Sequence, residues 1–386
     1  MTASYLALVR LAPARRLLYA LSAAGLSFGM VTLIVLLTVE RSTGSYPDGG
    51  FAVAAFALAA GISAPVRGRL VDRRGARTWL PVLSVGYAAA LVALDLVAQA
   101  DGPAWLLVGL GGLTGLTTPP LFASARVVWA QAVDPALVRR GYALTSLLHD
   151  LGQVAGPALA SLLFLVSTWI GAIACGVAAV AAGLLSLPTR DPAHYTHDPH
   201  PMPNLLRSRP LLGLLAVSIV LGGGEGLVQV GVPIAAARWH HSSLAGPLLA
   251  SFAVGSVVGG LWYGGRHWRA PVLDRYLGSV LALGLLLAPV VLARGPVSLA
   301  PLLLLAGLAF GPATVALFET LDVVAPGSGA ESLTWVTTAE AGGSAAGSAL
   351  AGVLATHGGA TAPFAIASAI LTAPAALALL SRKARR

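Results

Sequence analysis

Three carboxylates lie deep within long apolar stretches of this sequence and are the side chains best suited to chemistry: Asp150, Glu225 and Glu340. Placing a charge in hydrocarbon costs about 3 kcal/mol even on lenient scales, so such residues usually serve a purpose. Desolvation favours the neutral form of a carboxyl group, which can then take up a proton and release it when water gains access. We therefore interpret all three as candidate proton carriers. The alternative is that each lines a wet cavity or satisfies a neighbour without titrating.

The elements that hold these residues are predicted to be membrane helices. Hydrophobic residues make up 56% of the 386 residues, charged residues 10%, and the mean hydropathy is +0.81. No soluble domain of this size needs that balance. A helical span needs about 20 residues, so the chain can hold about twelve. We place them at residues 16–39, 50–69, 79–98, 104–131, 142–165, 169–187, 211–235, 246–265, 276–293, 298–324, 332–356 and 362–381.

These spans put the ionisable residues at definite depths. Asp150 and Glu340 each lie roughly 13 Å inside the ends of spans 5 and 11, and Glu225 lies roughly 20 Å into span 7. His149 either shares a proton with a neighbour or acts as a simple hydrogen-bond donor. Asp95, near the outer end of span 3, is expected to reach interfacial water.

Arg126 and Glu319 form a second kind of candidate. They fall in spans 4 and 10, each about six residues from the same side of the membrane. Their placement predicts an ion pair between the two halves of the chain.

The arginines supply the orientation, because cytoplasmic connections are enriched in them. One side of the predicted membrane carries only Arg41, Arg238 and Arg294. The other side carries the remaining basic residues that we assign to connections and termini: Arg10, Arg15, Arg16, Arg67, Arg69, Arg73, Arg74, Arg77, Arg139, Arg140, Arg190, Arg207, Arg209, Arg266, Arg269, Arg275, Arg382, Lys383, Arg385 and Arg386. This division predicts that both termini are cytoplasmic.

The chain divides into two halves at a proline-rich stretch. We predict an N-terminal six-helix bundle at residues 1–187, a cytoplasmic linker at 188–210 and a C-terminal six-helix bundle at 211–386. The halves echo each other, because the pair Gly152 and Gly156 recurs as Gly343 and Gly347, with Glu340 at the place of His149. Such an echo is typical of duplicated bundles with a substrate path between them.

Several classes of function are excluded by composition. Cys175 is the only cysteine, so disulfides and cysteine-rich metal sites are ruled out. Lys383 is the only lysine and no phosphate-binding loop is present, so we expect no direct use of ATP. The net charge of +9 lies in short connections and is explained by orientation, not by a nucleic-acid partner. The linker residues His194, His197, Asp198 and His200 have metal-binding side chains, but a solvated linker explains them better. We expect no cofactor, no metal and no enzymatic activity.

A loop between the second and third spans carries the most specific motif. Residues 68–77 keep Gly68, Asp72, Arg73, Gly75 and Arg77 at the spacing Gly-x-x-x-Asp-Arg-x-Gly-x-Arg. This motif resembles the loop signature of the major facilitator superfamily, a family of membrane transporters. The resemblance implies that Asp72 faces the N-terminal end of span 11 and gates the cytoplasmic side, while the arginines contact carboxylates or anionic lipids. The alternative is an ordinary cytoplasmic loop that contains Asp and Gly.

Span 5 carries a second motif, in which Gly152, Gly156 and Pro157 resemble the Gly-x-x-x-Gly-Pro pattern of exporters that work by antiport. The family's final paired glycines are replaced by Ala160 and Ser161, and an ordinary packing face with a kink is the alternative. The stretch 108–115 of span 4 lacks the arginine that typical drug:proton antiporters carry there. Their proton-coupling scheme therefore does not transfer directly.

Taken together, the resemblance implies the major facilitator fold, an all-α membrane protein of twelve transmembrane helices in two pseudo-symmetric bundles. A bacterial efflux-type branch of that family is what four stretches resemble: Thr118-Pro119-Pro120, Asp134-Pro135-Ala136-Leu137, Tyr142-Ala143-Leu144 and Glu331-Ser332-Leu333-Thr334-Trp335. We therefore predict a monomeric, multi-pass transporter of the bacterial inner membrane that exports a small amphipathic or lipophilic compound in exchange for protons. The main alternative is a proton-coupled importer or a uniporter of a polar metabolite such as a sugar. The spans are mostly Ala, Leu, Gly and Val, which favours apolar cargo.

Overall fold

The computed structural model describes residues 12–132, 135–186, 208–266, 268–324, 329–357 and 359–383. Nearly all of them are helical. The α-helices are α1 (Ala12–Thr43), α2 (Tyr46–Arg74), α3 (Ala76–Gln99), α4 (Ala104–Thr117), α5 (Leu121–Ala132), α6 (Pro135–Val166), α7 (Thr168–Leu185), α8 (Arg209–Arg238), α9 (Ala245–Gly264), α10 (Val272–Leu287), α11 (Pro296–Val324), α12 (Gly329–His357) and α13 (Ala362–Lys383). Short 3₁₀ segments lie at Ser242–Leu244 and Ala288–Leu292.

The structure confirms the predicted fold class and corrects the fourth span. That span is not continuous, because α4 ends at Thr117 and α5 begins at Leu121. Pro119 and Pro120 lack an amide hydrogen and disfavour helical backbone at the residue before them, which explains the break.

Among the described residues, eleven stretches are long and apolar enough to cross a membrane, and one of them, Ala104–Ala125, combines α4 with the start of α5. The twelfth, α12, is 29 residues long, but its glycines, serines and threonines keep its hydropathy low. It packs between α8 and α2, where small residues permit close contact.

Glycine pairs set the closest helix contacts within each half. A Cβ on Gly152 of α6 would lie 2.2 Å from the carbonyl carbon of Gly25 in α1, and a Cβ on Gly156 would lie 2.6 Å from that of Gly29. No side chain other than hydrogen fits there.

The C-terminal half repeats this arrangement. A Cβ on Gly343 or Gly347 of α12 would meet backbone of α8 near Gly223 at 2.0–2.1 Å. The sequence echo between spans 5 and 11 therefore corresponds to the same contact in both bundles. In the C-terminal half α8 packs against α12 as α1 packs against α6 in the N-terminal half, and this repetition underlies the pseudo-symmetry.

The two halves contact each other from one side of the bundle to its middle, where a Cβ on Gly61 of α2 would lie 2.4 Å from the Cβ of Ala341 in α12. We call the side where α1 begins and α13 ends the termini side, and the opposite side the far side. On the far side α2 packs on α12, where a Cβ on Gly50 would lie 3.0 Å from the Cα of Gly352. Also on the far side, the Gly246 amide of α9 donates a hydrogen bond to Ser161 Oγ of α6, 2.8 Å away.

On the termini side the corresponding part of α2 is open, because nothing lies within 4 Å of a Cβ built on Gly68. Because Gly68 has no side chain, the loop motif predicts a close helix contact at this position. In this conformation that contact is not made, since the halves are joined at the other side.

Candidate functional site

Asp150 lies on the face of α6 that is directed toward the other half. Pro157 and Ser161, seven and eleven residues further along, contact Gly246 of α9, and these spacings repeat the same helical face. Asp150 is two turns closer to the termini side, where its side chain is exposed and forms no hydrogen bond or ion pair with the described residues. The carboxylate therefore borders the space between the halves.

His149, its neighbour, has a different environment. The imidazole packs edge-on against Phe122, with ring centroids 4.7 Å apart, and lies 6.4 Å from the ring of Phe28. Its Nδ1 atom is buried without a hydrogen-bond partner in the described part of the chain. His149 and Asp150 therefore do not share an environment, although they are adjacent in sequence.

Glu225 and Glu340 are brought together in the C-terminal half. A Cβ on Gly222 of α8 would lie 2.1 Å from the carbonyl oxygen of Glu340 in α12, so the two backbones touch one turn from Glu225. Glu225 Oε1 accepts a hydrogen bond from Gln229 Nε2 at 2.8 Å. The structure thus brings together Glu225 and Glu340, which lie on two different helices, by close contact of those helices.

Two buried hydroxyl groups complete this region, which the sequence analysis did not identify. Tyr276 of α10 and Ser218 of α8 are fully buried, and neither hydroxyl has a hydrogen-bond partner among the described residues. Ser218, Glu225 and Gln229 are spaced seven and four residues apart, which puts them on one face of α8. That spacing is the signal that could have found Ser218 and Gln229.

The loop motif lies where α2 ends and α3 begins. Asp72 and Arg73 belong to the last turn of α2, and their side chains lie outside the described part of the structure. Gly75 ends the helix with φ +94°, a conformation that side chains rarely adopt, and its amide bonds to the carbonyl of Val71. Arg77 lies in the first turn of α3 and has a partner of its own. Gly75 is therefore required for the chain reversal itself.

The antiporter-like motif is a contact between the halves as well as a packing surface. Gly152 and Gly156 pack against α1 within the N-terminal half. Pro157 contacts the other half, because a Cβ on Gly246 of α9 would lie 2.0 Å from its carbonyl oxygen. Ser161, which replaces one of the family's paired glycines, accepts the hydrogen bond from Gly246. The departure from the family pattern thus supplies a polar link to the other half.

Glu319 pairs within its own half in this structure. Its Oε2 atom lies 2.9 Å from Arg275 Nη1 and accepts a hydrogen bond from the Tyr263 hydroxyl at 3.2 Å. Arg275 Nη1 in turn donates to the same hydroxyl at 2.6 Å. Arg126 lies on α5, and its side chain is outside the described part. The pair between Arg126 and Glu319 stays a prediction for the other access state.

Arg67 is a buried cation whose partner the sequence did not reveal. Its guanidinium donates to the carbonyl oxygens of Thr118 and Ala60. Thr118 caps the C-terminal end of α4, where the helix dipole attracts a cation. The sequence analysis assigned Arg67 to a cytoplasmic connection, whereas the structure places it within α2. The two prolines that break the fourth span are the signal that was available.

Asp95 corrects a smaller expectation. It does not reach interfacial water, since only 2% of it is exposed, and its Oδ2 atom accepts a hydrogen bond from Gln99 at 2.5 Å. Among the described residues no group of three or more His, Cys, Asp or Glu side chains can hold a metal ion. The linker histidines lie outside the described residues.

A sequence profile of the Major Facilitator Superfamily matches residues 17–339 of the chain. Among curated proteins, none matches the sequence significantly.

Solved structures of transporters share the fold. The human organic anion transporter MFSD10 (TETRAN) is 17% identical with a TM-score of 0.62, covering 94% of this chain and 99% of its own. The nucleoside transporter NupG is 14% identical with a TM-score of 0.71, covering 95% and 98%. A bacterial homologue of the human lysosomal transporter Spinster is 17% identical with a TM-score of 0.64, covering 95% and 94%. At these identities the likeness concerns the fold.

Proposed function

The chain belongs to the major facilitator superfamily and is a secondary transporter that works by alternating access, and we propose that it exports a small amphipathic or lipophilic compound in exchange for protons. The observation that supports proton coupling most strongly is the position of Asp150. Its carboxylate is unpaired among the described residues and borders the space between the halves, on the face of α6 that contacts α9. A carboxylate there gains or loses water as the halves rock, so its proton affinity changes with access.

Glu225 and Glu340 extend the proposal to the second half. Glu225 lies one turn from Gly222, whose backbone touches Glu340, so the two acidic residues lie on adjoining parts of α8 and α12, where a proton could be exchanged between them. Gln229 donates a hydrogen bond to Glu225. We assign proton exchange to Asp150 and the Glu225–Glu340 pair, with His149 in a supporting role.

The proposed class of cargo is based on the residue types of the membrane spans and not on the substrates of the similar transporters. The spans are mostly Ala, Leu, Gly and Val, and the glycine contacts between the halves involve small residues such as Ala341 and Ser348. A polar metabolite would need many hydrogen-bonding side chains at mid-membrane. That requirement makes a proton-coupled importer or a uniporter of a sugar-like compound the alternative.

The orientation follows from the arginines. With the termini side in the cytoplasm of a bacterial cell, the halves are joined at the outer side and separated at the cytoplasmic side. This conformation is then the inward-facing one, ready to load a cytoplasmic substrate. In this proposal the transporter works as a monomer in the inner membrane.

The experiment measures proton flux directly. The purified protein is placed in liposomes with a trapped pH-sensitive dye, and candidate amphipathic compounds are added outside. We expect substrate-driven proton movement in the parent protein, and its loss in Asp150→Asn or Glu340→Gln while passive substrate exchange survives. The amide keeps the shape and hydrogen-bonding capacity of the carboxylate but cannot change its charge.

Asp95→Asn is the matched control, because it neutralises an interior acid that is already bonded to Gln99. We expect this variant to keep the parental flux. Absent proton movement in the parent would leave a uniporter as the better explanation. Undiminished flux in both test variants would move the proton site to Glu225.

A further inference from the structure

An arginine held between two tryptophans lies where α9 ends. The Arg266 guanidinium carbon is 5.5 Å from the ring centre of Trp262 and 5.2 Å from that of Trp268. The two indoles meet edge to face with centroids 5.4 Å apart. The guanidinium is therefore fixed by two aromatic surfaces, which leave its N–H edge available.

The cluster is anchored to the helix rather than loosely attached. Trp268 stacks on Tyr263 with centroids 5.0 Å apart, and its Nε1 atom donates to the Tyr263 carbonyl at 2.9 Å. Tyr263 in turn bonds to Glu319 and Arg275. Arg275 is thus neutralised by Glu319, whereas Arg266 forms no ion pair with a carboxylate of the described residues. One positive charge of the cluster stays uncompensated.

The cluster also lies at the depth of lipid headgroups. The membrane-crossing stretch that contains α9 ends at Gly264, and the next begins at Val272. Arg266 and Trp268 lie in the short connection between them, and Trp262 is in the last turn of the helix. Tryptophan at such a boundary is characteristic of the membrane–water interface.

An exposed apolar track leads from the cluster toward the membrane centre. Val258 is 51% exposed, Leu261 69% and Trp262 55%, and they are spaced to share one outward side of α9. A headgroup at Arg266 would therefore have space for its acyl chain along this side. The combination of a fixed cation and an adjacent apolar track fits an amphiphile better than a free ion.

We propose that Trp262, Arg266 and Trp268 form a binding site for the phosphate of an anionic membrane phospholipid. The flat guanidinium donates its N–H groups to the phosphate oxygens, and the indoles hold it in the headgroup layer. Through Tyr263, an occupied site stabilises the end of α9 beside the ion pair between Arg275 and Glu319. This site is independent of the direction of transport and of the coupling ion.

The test compares lipid binding in a neutral detergent. Phosphatidylglycerol and phosphatidylcholine with the same acyl chains are added separately to the purified protein, and bound lipid is counted by native mass spectrometry. We expect preferential binding of phosphatidylglycerol, weakened at least about fivefold by Arg266→Gln, since one arginine near a charged surface is worth about 1 kcal/mol. Trp262→Leu, at an exposed position outside the Tyr263 network, is expected to weaken binding as well.

Two controls separate a built site from diffuse attraction. Arg209→Gln removes the same charge on the same side of the membrane, where no indole of the described residues stacks on the guanidinium, and should leave binding unchanged. Arg266→Lys keeps the charge but cannot stack as a flat ion, so lipid binding by this variant should stay weakened.

Equal weakening by Arg209→Gln, full binding by Arg266→Lys, or no preference for phosphatidylglycerol would overturn the proposal. Competition by inorganic phosphate at the concentration of the lipid would do so too, because it would indicate a soluble-anion site. Size-exclusion chromatography confirms that each variant is folded.

Discussion

At the scale of single residues, the interior charges differ in how completely they are paired. Arg275 is 12% exposed and Glu319 43%, so their ion pair lies at the edge of the bundle with one partner largely desolvated. The Tyr263 hydroxyl bridges the two groups. Removal of one partner leaves the other without its counter-charge, whereas removal of both does not.

This difference yields a prediction for stability. Glu319→Gln and Arg275→Gln should each lower the melting temperature, and the double variant should lose less than the sum of the two. We expect a coupling free energy of about 1 kcal/mol, modest because Glu319 is partly solvated. Thermal unfolding of the three variants in detergent measures it. Strictly additive losses would show that the ion pair contributes nothing in solution.

The sequence identified the interior carboxylates because a charge within an apolar run is conspicuous. It did not identify their partners. Glu319 was paired with Arg126 on depth alone, and its neighbour in this conformation is Arg275. Depth follows from counting residues along a helix, but partners depend on the rotation of each helix. A bundle of mostly apolar helices carries little periodicity that fixes rotation, so the sequence does not predict that Glu319 meets Arg275.

At the scale of helices, glycine spacing determines which surfaces touch. The pattern of two glycines one turn apart predicted packing, and both copies of it do contact a neighbouring helix. The break in the fourth span was signalled by Pro119 and Pro120, yet the continuous hydropathy of residues 104–131 outweighed them in the prediction. Hydropathy indicates whether a helix is surrounded by lipid or by water. The backbone constraints of residues such as proline determine where the helix ends.

Adjacent glycines in α12 give a matched pair for testing this packing. A Cβ on Gly343 would lie 2.0 Å from the carbonyl oxygen of Ile219, whereas nothing lies within 4 Å of one on Gly342. We expect Gly343→Ala to destabilise the protein by roughly 1–3 kcal/mol through overpacking, while Gly342→Ala is neutral or slightly stabilising because alanine favours the helix. Melting temperatures measure both. Equal effects of the two substitutions would contradict the close contact between α12 and α8.

At the scale of the whole molecule, the far-side contacts between the halves include one hydrogen bond between described residues and close packing of glycines. The hydrogen bond runs from Gly246 to Ser161, and the glycines pack against backbone. Weak, well-fitted contacts suit an interface that must open and close in each cycle. The termini side needs its own closing contacts, and the loop motif is the proposed source.

Asp72→Asn tests that closing contact. Without the carboxylate, attraction between α2 and the N-terminal end of α12 weakens, so the population should shift toward the conformation that is open on the termini side. We expect most transport to be lost, while expression and folding are largely intact.

The rate of cysteine labelling reports how the protein is distributed between the conformation open on the termini side and the one open on the far side. Cys175 is fully buried, so the parent protein should give little background with a membrane-impermeant maleimide. Val257 lies on the face of α9 that carries Gly246, about 16 Å closer to the termini side, and Ser348 is buried in the far-side contact. Asp72→Asn should therefore speed labelling of Val257→Cys and slow that of Ser348→Cys. Parental transport in liposomes, with both labelling rates unchanged, would show that Asp72 does not hold the gate.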